Sequence, residues 1–141
     1  MTEAQAIELI SATFVAGWTS RRPDVPFALE NDALPSADIF VALVVTMTTS
    51  RETTQGRSRT KRVQRNGWIQ VKTWQPANTG RAGAAALAGQ VRGILESVSL
   101  PSPLPGDEAL TTQAGTTLTI GTDGRWFMQL VRIPFWYADR A

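Results

Sequence analysis

Between residues 50 and 66 the sequence carries a cluster of cations that could bind an acidic partner or a phosphate. The segment reads SRETTQGRSRTKRVQRN and holds a single acid, Glu52. Its basic residues are Arg51, Arg57, Arg59, Lys61, Arg62 and Arg65. They are six of the fourteen Lys and Arg residues, which leaves eight cations and eleven acids elsewhere. The formal charge of +2 is therefore the sum of a basic segment and a mildly acidic remainder.

Three interpretations of this basic segment stay open from the residues alone. Runs of charge are most often solvated surface. The segment could instead contact another protein and become ordered on assembly. It could also bind phosphates, since Arg and Lys alternate there with Ser, Thr and Gln. The segment has no aromatic side chain that could stack on a base, and the chain shows no signature of a known RNA-recognition, helix-turn-helix or zinc-finger module.

Residue types that support catalysis are scarce. The chain has no His and no Cys, so it lacks the commonest general base at neutral pH and any thiolate metal ligand. The adjacent acids Asp107 and Glu108 predict a solvated turn, because two neighbouring carboxylates cannot by themselves enclose Mg²⁺. Ser and Thr are plentiful, but a Lys base would have to be Lys61 or Lys72. We therefore expect no enzymatic activity, no cofactor, no metal and no small-molecule substrate.

Length and composition predict one domain over residues 1–141. A chain of 141 residues with 43% apolar residues can bury an ordinary core. No apolar run approaches the roughly 20 residues of a membrane span. The first ten residues carry Glu3 and no Arg or Lys, which is not typical of a secretory signal. We expect a protein that is made in the cytoplasm of the producing cell and has no membrane partner.

Helical spacing of apolar residues predicts two helices. The first is expected to begin after Thr2, because Gln5 three residues later completes a capping box. The second is expected to follow a turn in which Asn78 or Thr79 supplies the N-cap. The two apolar stripes comprise Ile7, Ile10, Phe14 and Trp18 in the first helix, and Leu87, Val91, Ile94 and Val98 in the second.

The remaining apolar segments predict strands. A brief strand at Phe27–Glu30 precedes a central strand at Ile39–Met47, and another begins at Gly67 after the basic segment. An Asp-Gly turn near residue 123 joins Thr116–Ile120 to Arg125–Tyr137 as a final hairpin. The order α-β-β-arm-β-α-β-β predicts an α+β fold. We expect a mostly antiparallel sheet with two helices on one face and a long β-hairpin arm whose tip is residues 50–66.

In two predicted strands, large apolar residues occupy both the odd-numbered and the even-numbered positions, which face opposite sides of a sheet. In the last strand Phe127, Val131, Ile133 and Phe135 are expected to face the core. The opposite face would carry Trp126, Met128, Leu130 and Trp136 from this strand, and Trp68 and Trp74 from the strand after the basic segment. Two helices cover only one face, so this second face is predicted to lie in a subunit contact. The alternative is internal burial, under the Pro-rich loop Leu100–Gly106 or by curling of the sheet. The predicted contact residues are therefore Arg51, Arg57, Arg59, Lys61, Arg62, Arg65, Trp68, Trp74, Trp126 and Trp136.

The order of these motifs resembles that of the tail terminator (tail completion) family of tailed bacteriophages. The resemblance rests most on the Gly-Trp-Ile-Gln-Val strand at Gly67–Val71, the following helix with Ala86–Leu95, and the aromatic strand end at Ile133–Tyr137. It covers nearly the whole chain and implies a ring, usually a hexamer, on the last ring of the tail tube. Such a ring stops tail polymerisation and presents a surface to the head connector, with no enzymatic activity and no cofactor.

The resemblance also implies where the protein acts and which molecules it contacts. It places the chain at the neck-proximal end of a virion tail, against further copies of itself, the tail tube protein and the head–tail connector or neck protein. The basic segment would be ordered by these neighbours, or would contact DNA transiently, because the family pattern does not require it to be basic. A gene transfer agent or a tailocin would use the same cap. The alternatives are a nucleic-acid-binding module, another neck or adaptor protein and, least favoured, a carboxylate-only enzyme.

Overall fold

The computed structural model describes residues 1–52 and 62–140, with the backbone alone at residue 140. Its elements in chain order are α1 (Glu3–Arg21), β1 (Phe27–Ala28), β2 (Phe40–Glu52), β3 (Arg62–Pro76), α2 (Ala82–Leu95), β4 (Ser99–Leu100), β5 (Leu110–Thr112), β6 (Thr116–Asp123) and β7 (Trp126–Arg140). The strands form one sheet in the order β1-β2-β3-β7-β5-β4, and β6 also pairs with β7. Only the β1–β2 pair is parallel among the described strands, so the predicted α+β fold with a mostly antiparallel sheet is confirmed.

Helix α1 begins at the predicted capping box. The Thr2 hydroxyl accepts a hydrogen bond from the Gln5 backbone N–H at 3.2 Å, and the Gln5 side chain accepts one from the Thr2 backbone N–H at 2.8 Å. The stripe that α1 buries is Ala6, Ile10, Phe14 and Trp18, while Ile7 is only partly buried. The Trp18 indole N–H donates to the Val25 carbonyl at 3.0 Å, which satisfies the one polar atom of a fully buried ring.

The predicted N-cap of α2 is wrong. The helix begins at Ala82, and the cap position is Arg81, whose side chain makes no capping hydrogen bond. The Thr79 hydroxyl instead donates to the Pro76 carbonyl at 2.8 Å and closes a turn. Gly80 then adopts φ +84°, a left-handed conformation that separates Thr79 from the helix. The helix also ends at Leu95, so Val98 follows it and does not extend its buried stripe.

Two short strands border the Pro-rich loop. Strand β4 includes Leu100, which the sequence assigned to the loop, and β5 begins at Leu110. Strand β7 is paired with β3 along its whole length on one side. On its other side it pairs first with β6 and then with β5. Pro134 lacks an amide donor, which predicts an edge strand or only partial pairing at that position. It lies inside the sheet, opposite Trp68, and on its other side it falls between the last β6 pair, at Arg132, and the first β5 pair, at Phe135.

Both helices pack on one face of the sheet. Odd-numbered residues of the three central strands meet α1 and α2 there: Val41, Leu43, Val45, Ile69, Val71, Val131, Ile133, Phe135 and Tyr137. Phe127 is the exception among the residues predicted to face this core, because it is only partly buried and lies outside the core cluster. The even-numbered residues point to the opposite face, which no described helix covers, and which we call the open face.

Candidate assembly surface

The ends of the basic segment are regular strand. Residues 50–52 of β2 pair with residues 63–65 of β3, and Arg62 is paired on its other side with residue 140 of β7. The sheet is thus three strands wide where the sequence suggested the start of a projecting arm. Residues 53–61, which include Arg57, Arg59 and Lys61, lie outside the described residues, so a projecting tip stays a prediction.

Two of the basic residues form ion pairs within the chain. The Arg62 guanidinium contacts the Glu108 carboxylate, and Arg65 lies 3.4 Å from the Asp139 carboxylate. Arg65 also donates to the Ser50 hydroxyl at 2.8 Å, whereas the Arg51 side chain is exposed. The acids come from positions 46 and 74 residues away in sequence, so local spacing could not reveal these pairs.

The adjacent acids at 107 and 108 have separate partners. Asp107 accepts a hydrogen bond from the amino-terminal ammonium of Met1 at 2.5 Å and another from the Ser102 hydroxyl at 3.0 Å. The ammonium, more than any other group, lowers the pKa of the Asp107 carboxyl below its ordinary value. Within residues 1–52 and 62–140, no group of three or more His, Cys, Asp or Glu side chains could hold a metal ion.

A polar cleft of about 210 Å³ separates the start of α1 from the paired ends of β2, β3 and β7. Glu3 and Arg65 line it beside Tyr137 and Asp139. Tyr137 is fully buried, and desolvation, assisted by the charge of Asp139, raises the pKa of its hydroxyl. The charged residues that line this cleft therefore stabilise the paired ends of β2 and β3. The Arg65–Asp139 ion pair lies on the side of the sheet that bears the helices.

Two of the four tryptophans predicted to form contacts pack against Phe40. Phe40 stacks on Trp74 with ring centroids 4.6 Å apart and meets Trp126 edge to face at 5.3 Å. Met128 completes this second hydrophobic cluster on the open face. Trp74 is only 9% exposed, so the alternative of internal burial holds for it. The cover comes from neighbours on the same face and not from the Pro-rich loop.

The other two tryptophans lie nearer the basic segment and are partly exposed. Trp68 lies beneath the Arg132 guanidinium, 5.2 Å from its ring centroid. Trp136 is paired with Asn66 on one side and Thr111 on the other. Six residues separate Trp68 from Trp74 along β3, or about 20 Å of extended chain. The structure thus places Trp74 and Trp126 in an aromatic cluster at one end of the open face, where Trp74 is buried and Trp126 partly buried, and the partly exposed Trp68 and Trp136 at the other.

Between these ends the open face has a shallow apolar groove of about 350 Å³. Its lining residues are Leu34, Ala42, Val44, Gln70, Lys72, Trp74 and Leu130. Four large apolar side chains on or beside this face are exposed to solvent, namely Leu34 (57%), Val44 (37%), Leu118 (39%) and Ile120 (48%). The sequence analysis did not single out any of these four, although Leu118 and Ile120 share one parity in the predicted hairpin strand.

Neither helix in the described part of the chain has the length and hydrophobicity that a membrane span requires. The open face is a broad surface with apolar, aromatic and cationic side chains, which is the composition found at protein interfaces.

Comparison with known proteins gives a likeness of fold. No family model matches the chain, and no curated protein matches it. One similar solved structure, described by a sequence identifier alone, has a TM-score of 0.66 and 19% identity over 92% of this chain and 94% of its own. Another, described as "Virion of native gene transfer agent (GTA) particle", has a TM-score of 0.55 and 14% identity over 97% of this chain and 98% of its own. At these identities the chain shares a full-length fold with both proteins.

Proposed function

We propose that this chain is a structural protein of a tail-like virion particle and that it caps the tail tube as a ring. The cap ends tail polymerisation and offers the head connector its attachment surface, without chemistry of its own. The open face carries this proposal, because a sheet covered by helices on one side only leaves an apolar surface for a partner. The full-length likeness of fold to a chain of a gene transfer agent virion supports the same assignment.

Termination requires that the two sides of the ring differ. A tube grows because every ring that binds to its end presents a new copy of the surface to which it bound, so a further ring can always add. A cap must match the tube on one side and present something else on the other. In this chain Arg51, Arg62 and Arg65 lie at one end of the sheet, and the cluster of Phe40, Trp74 and Trp126 lies at the other, so opposite sides of a ring can present different chemistry. A homo-hexamer, with a tube protein and a neck protein as its two neighbours, is the assembly that we infer.

The nucleic-acid alternative loses support at the ends of the basic segment. Arg62 and Arg65 already contact carboxylates of the same chain, so phosphate binding there would have to displace an internal partner. Its remaining basis is Arg51 and the three cations of residues 57–61. Fluorescence anisotropy with a labelled DNA duplex across a salt series separates the two functions. Tight binding that weakens steeply with salt would favour the nucleic-acid module over the cap.

The direct test is a capping assay. Tail tube protein is polymerised in the presence and absence of this chain, and tube length and tube ends are measured by negative-stain microscopy. We expect shorter tubes with additional density at one end. Val44→Glu adds a charge to the open face, and Ala86→Glu adds the same charge to the exposed surface of α2. Capping should be lost with the first variant and retained with the second. Tubes of unchanged length with the wild-type chain would overturn the proposal.

A further inference from the structure

The sheet has a long free edge on each side. Strand β1 pairs with β2 only at Val41 and Ala42, so the outer side of β2 has no strand partner among the described residues from Leu43 to Arg51. We call residues 43–51 the β2 edge. On the other side, β6 pairs with β7 alone in the described part of the chain, and its outer side, over Thr116–Asp123, is the β6 edge. The lengths are similar, at nine and eight residues.

Charged residues stand only at the ends of the two edges, at Arg51 and Asp123. Residues 43–50 read LVVTMTTS and residues 116–122 read TTLTIGT, without a Lys, Arg, Asp, Glu or Pro. Natural proteins that keep an edge free usually place Lys, Pro or an inward-pointing charge on it, since unpaired N–H and C=O groups recruit other strands. Each edge also has one register shift, at residues 47–50 and 119–121. A bulge bends its strand and increases the right-handed twist, so both edges depart from straight in the same sense.

The exposed apolar side chains concentrate at these two edges. Five large apolar side chains are exposed within residues 1–52 and 62–140, and four of them lie here. Leu118 and Ile120 are on the β6 edge, Val44 is on the β2 edge, and Leu34 shares a groove with Val44. Val44 and Leu118 both point to the open face, because their cross-strand partners Gln70 and Leu130 do. Joining the two edges would therefore extend one apolar face without interruption.

The strand directions agree with such a joint. The β2–β3, β3–β7 and β7–β6 pairs are all antiparallel, so β6 runs opposite to β2 in the same chain. Rotation about an axis along the strands preserves strand direction, so β6 of one copy would meet β2 of the next copy as an antiparallel neighbour. We propose that the β6 edge of one copy pairs with the β2 edge of a second copy, head to tail. The closure of these contacts into a ring rests on the proposed function, but the pairing itself does not.

Blocking one edge at a time tests this pairing. Leu118→Lys/Ile120→Lys blocks the β6 edge, and Val44→Lys/Thr46→Lys blocks the β2 edge, where both native side chains are exposed. The matched control Ala85→Lys/Ala86→Lys adds the same charge to exposed positions of α2. Self-association is measured by sedimentation velocity up to about 1 mM protein, where contacts of millimolar affinity become visible. Circular dichroism and thermal melts verify that each variant is folded.

We expect the wild-type chain and the control to associate, and each blocked variant to associate about 100-fold more weakly, since an unpaired Lys would have to be desolvated against an apolar edge. An equimolar mixture of the two blocked variants keeps one intact edge of each kind, so it should form 1:1 dimers and nothing larger. Association of the blocked variants at wild-type strength, a mixture that stays monomeric, or a wild-type chain that is monomeric at every concentration would overturn the pairing.

The capping assay and the self-association measurement test the two proposals separately. If the mixture forms dimers while the wild-type chain leaves tubes unchanged, the edge pairing stands and the proposed function falls. If the chain caps tubes and Leu118→Lys/Ile120→Lys caps them equally well, the function stands and the edge pairing falls.

Discussion

Replacing Trp74 by Ala should destabilise the folded chain even though Trp74 lies on the open face. Its side chain is 9% exposed and stacks on Phe40 with ring centroids 4.6 Å apart. A buried Trp removes about 200 Å² from water, which at about 25 cal/mol per Å² corresponds to about 5 kcal/mol. Water can enter the space left on an open face, which reduces the cavity penalty. We therefore expect a loss of about 3–4 kcal/mol in the free energy of unfolding.

The assay is guanidinium unfolding followed by far-UV circular dichroism, because removing a Trp alters the fluorescence signal. Trp68→Ala is the matched control, since it makes the same change on the same strand and face at a partly exposed position. We expect it to cost under about 2 kcal/mol. A double-mutant cycle with Phe40→Ala should give a coupling of about 0.5–1.5 kcal/mol, the size found for aromatic pairs.

Three results would refute this reasoning. The first is an equal cost for the two Trp substitutions, which would mean that burial does not distinguish them. The second is a coupling near zero between Phe40 and Trp74. The third is a Trp74→Ala chain with wild-type stability that no longer caps tubes, because Trp74 would then act as a contact residue as the sequence predicted.

The other predictions concern backbone packing and pH. Gly67→Ala should cost about 1–3 kcal/mol or more, because its Cβ would lie 2.5 Å from a backbone carbonyl oxygen in the neighbouring strand; Gly89→Ala, whose nearest neighbour would be 3.8 Å away, should instead stabilise α2 by up to about 1 kcal/mol. Urea unfolding of both variants checks the opposite signs, and equal effects would contradict the packing argument. The lowered pKa of Asp107 contributes stability above the ordinary carboxyl pKa, and that contribution is lost as the pH falls through the lowered value. Asp107→Asn, in protein whose intact mass shows that Met1 is retained, should therefore be destabilised at pH 7, and the deficit should shrink as the pH falls below the ordinary carboxyl pKa; a deficit that does not change with pH would contradict this.

Local signals in the sequence predicted the elements well. The capping box at Thr2, the helical stripe that ends at Trp18 and the alternation in β3 and β7 all describe interactions between residues a few positions apart. The structure confirms them except at Ile7 and Phe127, which are only partly buried. The N-cap of α2 failed for a related reason. Thr79 has the right residue type, but Gly80 turns the chain before the helix begins. Residue type alone does not determine which of two competing hydrogen bonds a hydroxyl forms.

The candidate surface was predicted only in outline. Parity placed Trp68, Trp74, Trp126 and Trp136 on the face opposite the core, and their cross-strand pairing bears out that placement. Parity could not tell which of them stack together, because the partner Phe40 comes from another strand. Nor could it show that Arg62 and Arg65 have internal carboxylate partners far away in sequence.

The sequence by itself determined the order and character of the two helices and of five of the seven described strands, the charge of residues 50–66 and the two-sided apolar pattern of β3 and β7. These follow from residue type and from the fixed periods of helix and strand. Only the tertiary structure decided which apolar residues are satisfied and which remain exposed, because burial depends on which strands become neighbours. The free β2 and β6 edges exist only because β1 is two residues long and no described strand pairs with the outer side of β6. Such edges are properties of the assembled sheet, and no local stretch of sequence encodes them.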